Sequence, residues 1–245
     1  MTLTTRTDGG KEMNKSLKIL LASFVCFTQS VLAQSAFQGF YGQIATGYEN
    51  NSVSNTSLTM NNSSNFPGGN NNPSKGSAPL ILGAGYNHSV SQNLLLGLGL
   101  DYSFLETTVG TANINGSNSA TGSTYKVSNR LNIFLAPGYV IDKDKLAYAK
   151  VGYSMQKVKA SYYDVDGPTW CSGNSMGSGN AQGFLVGLGY KQIISDGFYG
   201  FTEANYYSYG RTSMGTSTLC DTTLITNFSP STSAYNFLAG IGYKF

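Results

Sequence analysis

The chain contains 245 residues, with 30 glycines, 17 tyrosines and a net charge of +3. Only 11% of the residues are charged. So low a content of charge excludes a basic protein that binds nucleic acid, and it also excludes a highly charged disordered chain. We therefore expect no nucleic-acid partner.

The chain opens with a targeting segment. Lys15 and Lys18 precede an apolar run over residues 19–27, and small or apolar residues lead up to Ala33. This order of features is typical of a secretory signal peptide. We expect residues 1–33 to be removed and residues 34–245 to form the mature domain.

Two details of the amino-terminal segment concern its length. Met13 would open a conventional signal peptide by itself, so residues 1–12 are either an upstream extension or part of a longer amino-terminal region. The apolar run is too short to cross a bilayer as a helix, and no later stretch approaches 18 consecutive apolar residues. A helical membrane protein is therefore excluded.

Beyond the targeting segment the sequence repeats one pattern, in which about ten alternating residues precede a polar turn or loop. Alternation of apolar with small or polar residues predicts β-strands with two different faces. Eight strands are predicted, at residues 40–49, 80–86, 94–104, 130–139, 147–155, 183–190, 198–209 and 234–245.

The connections between the predicted strands alternate in length. Short turns are predicted at residues 91–93, 142–145 and 195–197. Long polar loops are predicted at residues 50–77, 106–123, 156–180 and 210–233. This asymmetry is typical of outer-membrane barrels, which have short periplasmic turns and longer extracellular loops.

The large apolar residues of each predicted strand fall on one face, and glycine or polar residues fall on the other. A carrier of the lipocalin type would have the reverse arrangement, with its bulky residues inside. We therefore predict an all-β fold, an eight-stranded antiparallel transmembrane β-barrel with its apolar face outward in lipid. Outward positions include Leu96, Leu98, Ile133, Leu188 and Ile241.

Three stretches of the sequence carry a family resemblance. Gly240, Tyr243 and Phe245 match the Gly-x-x-aromatic-x-aromatic ending of bacterial outer-membrane barrels. With residues 39–42 and 136–153, this ending resembles the eight-stranded opacity-protein and outer-membrane-protein-A-like superfamily. The resemblance implies that the barrel-assembly machinery recognises the last strand and that the protein resides in the bacterial outer membrane. That superfamily includes adhesins, immune-evasion factors and structural proteins.

Polar side chains are predicted on the inner faces of the strands. A barrel of eight strands has room for little beyond its own side chains. We expect these charges to neutralise one another, with Lys150 near Glu203 and Asp101 near Arg130. A conducting lumen is the alternative interpretation. The predicted inward polar set is Gln43, Asp101, Arg130, Asn132, Lys150 and Glu203.

The sequence gives little support for catalysis or for a cofactor. The sole histidine, His88, lies beside the first short turn, whereas lipid-modifying barrel enzymes work at the opposite, outer rim. Asp164 and Asp166 imitate the start of a calcium loop but lack its later ligands. The glycines around Leu98 precede no helix, so they predict no dinucleotide site. We expect no catalytic residue, no metal site and no cofactor.

Two cysteines remain after signal cleavage, Cys171 in the third predicted loop and Cys220 in the fourth. Because a secreted chain meets an oxidising compartment, we expect them to form a disulfide, for which loop closure gives up to about 4 kcal/mol. The bond would join both loops into a platform bearing Tyr162, Tyr163 and Trp170. This platform is either a binding surface or a stabilised pair of loops that bind nothing.

These patterns favour a non-enzymatic outer-membrane barrel, a surface-exposed structural protein or one that binds a ligand or adheres through its extracellular loops. The alternatives are a lipid-modifying barrel enzyme and a small-solute pore. Expected partners are outer-membrane lipid, lipopolysaccharide and the barrel-assembly machinery. The sequence does not identify the extracellular partner, and we expect a monomer.

Overall fold

The computed structural model describes residues 35–54, 58–60, 64–66, 72–113, 121–164, 173–219, 223–226 and 228–245. No helix in these ranges is long and apolar enough to cross a membrane. The same ranges contain fourteen β-strands: β1 Gly39–Val53, β2 Leu58–Met60, β3 Ser64–Phe66, β4 Ser74–Ser77, β5 Leu80–Ser89, β6 Leu94–Ser103, β7 Thr107–Asn113, β8 Thr121–Asp142, β9 Lys145–Asp164, β10 Ser175–Ser195, β11 Phe198–Arg211, β12 Ser217–Leu219, β13 Thr223–Thr226 and β14 Ser231–Lys244.

Eight of these strands form a closed antiparallel ring. The order around the ring is β1, β5, β6, β8, β9, β10, β11 and β14, and β14 pairs with β1 to close it. At the closing seam the pairs run from Tyr41 opposite Lys244 to Val53 opposite Thr232. Closure pairs the strands that would otherwise be sheet edges. The prediction of an all-β, eight-stranded antiparallel barrel is confirmed.

The predicted orientation of the two strand faces is also confirmed. Leu98, Ile133 and Leu188 are exposed by 57%, 50% and 68%, respectively. Their neighbours of opposite parity lie inside the ring, where Leu95, Phe134 and Leu185 are buried. Because side chains alternate along a strand, one correctly placed residue fixes the orientation of its strand as far as the next bulge, such as the one between Ser128 and Leu131 in β8.

Three short turns lie at one end of the ring, which we call the turn end. They occupy residues 90–93, 143–144 and 196–197, close to the predicted positions. Asp196 and Gly197 have φ angles of 41° and 85°. Positive φ at both central residues is what a two-residue type I′ hairpin requires, and Asp-Gly is a favoured pair for it. The opposite end carries the long connections, and we call it the hairpin end.

The four long connections lie at the hairpin end, as predicted, but over much of their described length they are paired strands rather than loops. β8 begins nine residues earlier than expected, at Thr121, and β9 continues to Asp164. β10 begins at Ser175, and its first pair with β9 joins this residue to Ser161. The alternation continues in these segments, but polar outward residues replace the apolar ones. Their low content of apolar residues is typical of a loop. They are stabilised by a cluster of buried side chains between the hairpins, which we call the hairpin core.

The hairpin core accounts for the length of the hairpins. Tyr125 on β8, Val158 on β9 and Met176 on β10 are completely buried and belong to one cluster. Val109 on β7 and Met214, which follows β11, join the same cluster from neighbouring connections. Burial of such side chains contributes about 1.5–3 kcal/mol each, which favours an ordered sheet over an irregular loop.

Short strands also interrupt the other predicted loops. β4 pairs with β1, and β7 pairs with β8. The first and last hairpin connections meet in a separate four-stranded sheet of order β12-β13-β2-β3. Its central contact joins Ile225 to Met60 and Thr226 to Thr59. The connection that follows β1 and the connection that precedes β14 are therefore paired with each other.

Candidate functional site

An ion cluster of Lys150, Asp101 and Glu203 lies in the interior of the ring, with one residue each on β9, β6 and β11. The ammonium group of Lys150 donates to Asp101 Oδ2 at 2.7 Å and to Glu203 Oε2 at 2.9 Å. Tyr148 donates to the second carboxylate oxygen, Glu203 Oε1, at 2.7 Å. The Lys150 side chain has no exposed surface, so the two carboxylates, rather than water, compensate its charge.

A second polar group, the arginine cluster, lies nearer the hairpin end and consists of Arg130, Glu49, Asn51 and Gln156. Arg130 forms an ion pair with Glu49 and donates to Asn51 Oδ1 at 2.7 Å. Its Nη2 also donates to Gln156 Oε1 at 3.0 Å. The guanidinium carbon lies 4.6 Å from the centre of the Tyr207 ring. Hydrogen bonds in several directions hold the planar guanidinium group in one orientation.

The expected pairing of Asp101 with Arg130 is wrong. The register places Asp101 opposite Asn132, whereas Arg130 is opposite Ser103, two residues nearer the hairpin end. From that height the arginine side chain extends across the interior to Glu49 on β1 instead. The expected proximity of Lys150 and Glu203 is observed as a direct ion pair.

Lys191 on β10 is a buried cation that lies outside the predicted inward set. Its Nζ lies 4.0 Å from the centre of the Tyr41 ring, 4.9 Å from Tyr199 and 5.2 Å from Tyr148. Within the described residues it forms no ion pair, so aromatic faces provide its nearest electrostatic contacts. Extending the alternation Gly187, Gly189 by one step would have identified it, but the predicted strand ended at residue 190.

Side chains fill the interior between and beside the two clusters. Tyr199 donates to Gln43 Oε1 at 3.1 Å, and Ser154 donates to Asn132 Oδ1 at 2.6 Å. Gln43 and Asn132 thus face inward, as predicted, but the residues that donate to them, Tyr199 and Ser154, belong to neither cluster. A cavity beside Lys191 has room for about one water molecule. This packing leaves little space for a solute to pass.

The remaining predicted positions are dispersed over the molecule. His88 is exposed on β5, immediately before the first short turn. Phe245 is 76% exposed, and its ring packs edge-on against Tyr243. Gly240 lies against the Phe201 ring so closely that an added Cβ would be 2.5 Å from it. Recognition of these last residues by the assembly machinery stays a prediction.

The predicted loop platform lies only partly within the described residues. Tyr162 on β9 is half-buried against the hairpin core, and Tyr163 pairs with Gly122 across the strands. Asp164 ends β9. The expected disulfide and the remaining platform residue lie outside the described residues, so both stay predictions, at positions Cys171, Cys220 and Trp170. In the part of the chain that the structure describes, no three His, Cys, Asp or Glu residues converge on a possible metal site.

Outward aromatic side chains form two belts around the ring. Near the turn end these are Phe40, Tyr139, Phe198, Tyr243 and Phe245. Towards the hairpin end they are Tyr48, Phe104, Tyr153, Phe184 and Tyr235. The outward residues between the belts are mainly apolar. Such belts form where a barrel crosses the two interfaces of a bilayer, and together with the closed ring and polar interior they define a transmembrane β-barrel.

The family comparison agrees with this class. The sequence matches the outer membrane protein beta-barrel domain over residues 19–245, and the chain belongs to that family. No individual curated protein is similar enough in sequence to count as a match. The predicted superfamily resemblance and outer-membrane location are therefore confirmed at the level of an outer-membrane β-barrel.

Solved structures of several outer-membrane proteins are similar in fold. Ail, the attachment invasion locus protein of Yersinia pestis, is 16% identical, with 85% of this chain and 99% of Ail covered and a TM-score of 0.41. Neisserial surface protein A is 12% identical over 84% and 97% of the two chains, with a TM-score of 0.46. The protease OmpT of Escherichia coli is 12% identical over 88% and 99%, with a TM-score of 0.44. Similarity at this level transfers no activity to this chain.

Proposed function

We propose that this protein is a non-enzymatic outer-membrane β-barrel that acts at the cell surface through its long hairpins, in adhesion or other ligand binding. The barrel serves as its anchor. One observation carries the proposal: three neighbouring strands continue far beyond the outward aromatic belts as a paired sheet. β9 has 20 residues and β10 has 21, whereas about 9–11 residues suffice to cross a bilayer.

The projecting sheet is built as a rigid surface. Its pairs continue from Tyr125 opposite Ala160 to Thr121 opposite Asp164, and its inner face packs on the hairpin core described above. A surface that is ordered before it meets a partner loses less conformational entropy on binding than a flexible loop does. Long connections of outer-membrane barrels are generally extracellular, which supports placement of this sheet at the cell surface.

The interior and the position of the histidine support a role without catalysis or transport. The ion cluster and the aromatic rings around Lys191 fill the lumen. His88 lies at the turn end, away from the projecting sheet. These features weigh against both a small-solute pore and a lipid-modifying enzyme with a histidine at the outer rim.

Shortening the projecting hairpin tests the proposal. Lys159 and Ser178 are opposite each other, so replacing residues 160–177 by Asn-Gly should close a tight turn without changing the register below it. As a matched control, Asn-Gly replaces Lys143 and Asp144 in the turn at the other end. Cells expressing each variant would be applied to immobilised matrix proteins and glycans, with folding checked by the gel mobility of unheated protein.

We expect the wild-type and control proteins to increase attachment above that of cells carrying an empty vector, and we expect the shortened variant to lose this increase. A membrane-impermeant amine reagent added to intact cells should modify Lys75, an exposed residue of β4 at the hairpin end. Equal attachment by the shortened variant, attachment no greater than that of the empty vector, or failure of the reagent to modify Lys75 would count against the proposal.

A further inference from the structure

Three lysines form a compact outward group on the projecting sheet, which we call the lysine cluster: Lys126 on β8 and Lys157 and Lys159 on β9. Lys126 and Lys159 are directly opposite each other. Lys157 is two residues from Lys159 on the same face, about 7 Å along the strand. Like charges directly opposite each other destabilise a sheet, so this arrangement favours an anion beside the lysines.

The described residues compensate the lysine cluster only in part. Glu106 accepts from Lys126 at 2.9 Å and lies 3.9 Å from Lys159. Lys157 forms no ion pair with any described residue. Three lysines and one glutamate leave a net charge of +2 at this position, on side chains that are partly exposed to the surroundings. A phosphate monoester carries about −1.5 to −2 at neutral pH, which matches this charge.

The position of the lysine cluster indicates the source of the anion. On the outward face of β9, Tyr153 belongs to the aromatic belt, Met155 follows it, and Lys157 and Lys159 occupy the next two outward positions. Lysines just beyond an apolar surface can extend their stems along it and place the ammonium groups at the level of lipid headgroups. The phosphate of a lipid, which the acyl chains hold at this level of the bilayer, would lie beside the lysines.

Polar groups on the neighbouring strands complete a possible binding surface. Ser128 is opposite Lys157 on β8, and Asn180 is opposite the same lysine on β10. Ser178 is opposite Lys159. Hydroxyl and amide donors beside the ammonium groups provide further hydrogen-bond donors for phosphate oxygens.

From this charge, position and donor set we infer that the lysine cluster binds a phosphate group of a membrane lipid in the leaflet at the hairpin end. If the hairpins are extracellular, that leaflet contains lipopolysaccharide, and the phosphates are those of its lipid anchor. The inference depends on insertion of the barrel in the membrane and not on adhesion, so the two proposals can fail independently.

The test measures lipid binding by folded, purified protein in a non-ionic detergent. Native mass spectrometry would follow titration with lipid A and with lipid A from which the phosphates have been removed. The test variant replaces Lys126, Lys157 and Lys159 by glutamine. Its matched control removes the same charge at the turn end, by glutamine at Lys143, Lys145 and Lys244.

The expected results follow from the number of charges. A lysine close to an anionic headgroup changes affinity by about fivefold, so loss of all three should weaken binding of lipid A at least tenfold. The turn-end control should bind within about twofold of wild type, and dephosphorylated lipid should bind weakly to all three proteins. Screening by added salt should reduce the difference between the variants.

A second variant provides a test that does not weaken the site. Glu106→Gln removes the only described carboxylate that pairs with the lysine cluster, so binding of lipid A should become about fivefold tighter. If the glutamate and lysines served only to stabilise the sheet, this change would not increase affinity. The variant also keeps the inference testable if the triple variant does not fold.

Three results would overturn the inference. The first is equal binding of lipid A and its dephosphorylated form to the wild-type protein. The second is unchanged affinity for lipid A in the folded triple variant or in Glu106→Gln. The third is displacement of lipid A by inorganic phosphate or a soluble sulfated polysaccharide at the same concentration as by lipid A itself, which would assign the lysines to a soluble anion.

Discussion

The ion cluster inside the barrel allows a quantitative test of what holds the lumen closed. Replacing Lys150 by methionine retains most of the volume of the side chain and its contact with the Phe134 ring, but it removes the cation that Asp101 and Glu203 share. Breaking a buried ion pair from one side costs about 3–5 kcal/mol because the partner remains buried and uncompensated. We expect a loss of free energy of unfolding in this range.

Neutralising both carboxylates should recover much of this loss of stability. Adding Asp101→Asn and Glu203→Gln to Lys150→Met removes both uncompensated charges, so the triple variant should regain at least about 2 kcal/mol. Lys145→Met serves as a matched control, since Lys145 forms only a partly exposed ion pair of 3.7 Å with Asp142. Such a surface pair contributes about 1 kcal/mol or less.

Equilibrium unfolding in urea, with the protein refolded into lipid vesicles and followed by gel mobility, gives the four free energies. Refutation would come from a Lys150→Met variant within about 1 kcal/mol of wild type, or from a triple variant no more stable than Lys150→Met. Either result would mean that hydration, protonation or a rearranged side chain compensates the carboxylates without the lysine.

Three further predictions concern the outer surface, assembly and the hairpin connections. Leu98→Arg should cost about 2–4 kcal/mol of unfolding free energy near the bilayer midplane, whereas Val90→Arg beside a turn should cost about 1 kcal/mol or less; equal losses would contradict the proposed membrane position. Deleting Phe245 should reduce the amount of folded protein in the outer membrane more than removing several hairpin residues does, as measured by gel mobility of membrane fractions; an unchanged yield would exclude it as an assembly signal. Cys171 and Cys220 should resist alkylation until reduced, as measured by intact mass; two reactive thiols in freshly isolated, unreduced protein would refute the disulfide.

The barrel strands were predictable because their signal is local. Each of the leucines at positions 94, 96, 98 and 100 alternates with a residue that lies inside, so a short stretch of sequence shows both the strand and its orientation. The Asp-Gly pair at 196–197 likewise specifies its own turn through two positive φ angles.

The hairpin extensions were not predictable from the same signal. In β9 beyond Met155, the outward residues are Lys157 and Lys159, so the strand has no apolar outward face, although the inward residues that follow Gln156, Val158 and Ala160, are apolar. The core that stabilises this segment is contributed by distant parts of the chain. A test based on the inward residues alone would have recognised the continuing strand.

The interior contacts depended on the relative height of strands that are not neighbours. Arg130 and Glu49 are on β8 and β1, which do not pair, so no local pattern indicated that their side chains would meet. The relative height of such strands depends on the stagger accumulated around the barrel. Inward orientation was therefore predictable from the sequence, whereas the choice of partner was not.

The four-stranded sheet at the hairpin end has a consequence for the order in which the molecule forms. Met60 and Ile225 come from connections next to β1 and β14, the two strands that close the ring. Bringing such distant segments together has a large entropic cost until other contacts have shortened the intervening chain. We therefore expect the sheet to form late in folding, so that its presence would distinguish a finished barrel from an inserted chain whose first and last strands have not yet met.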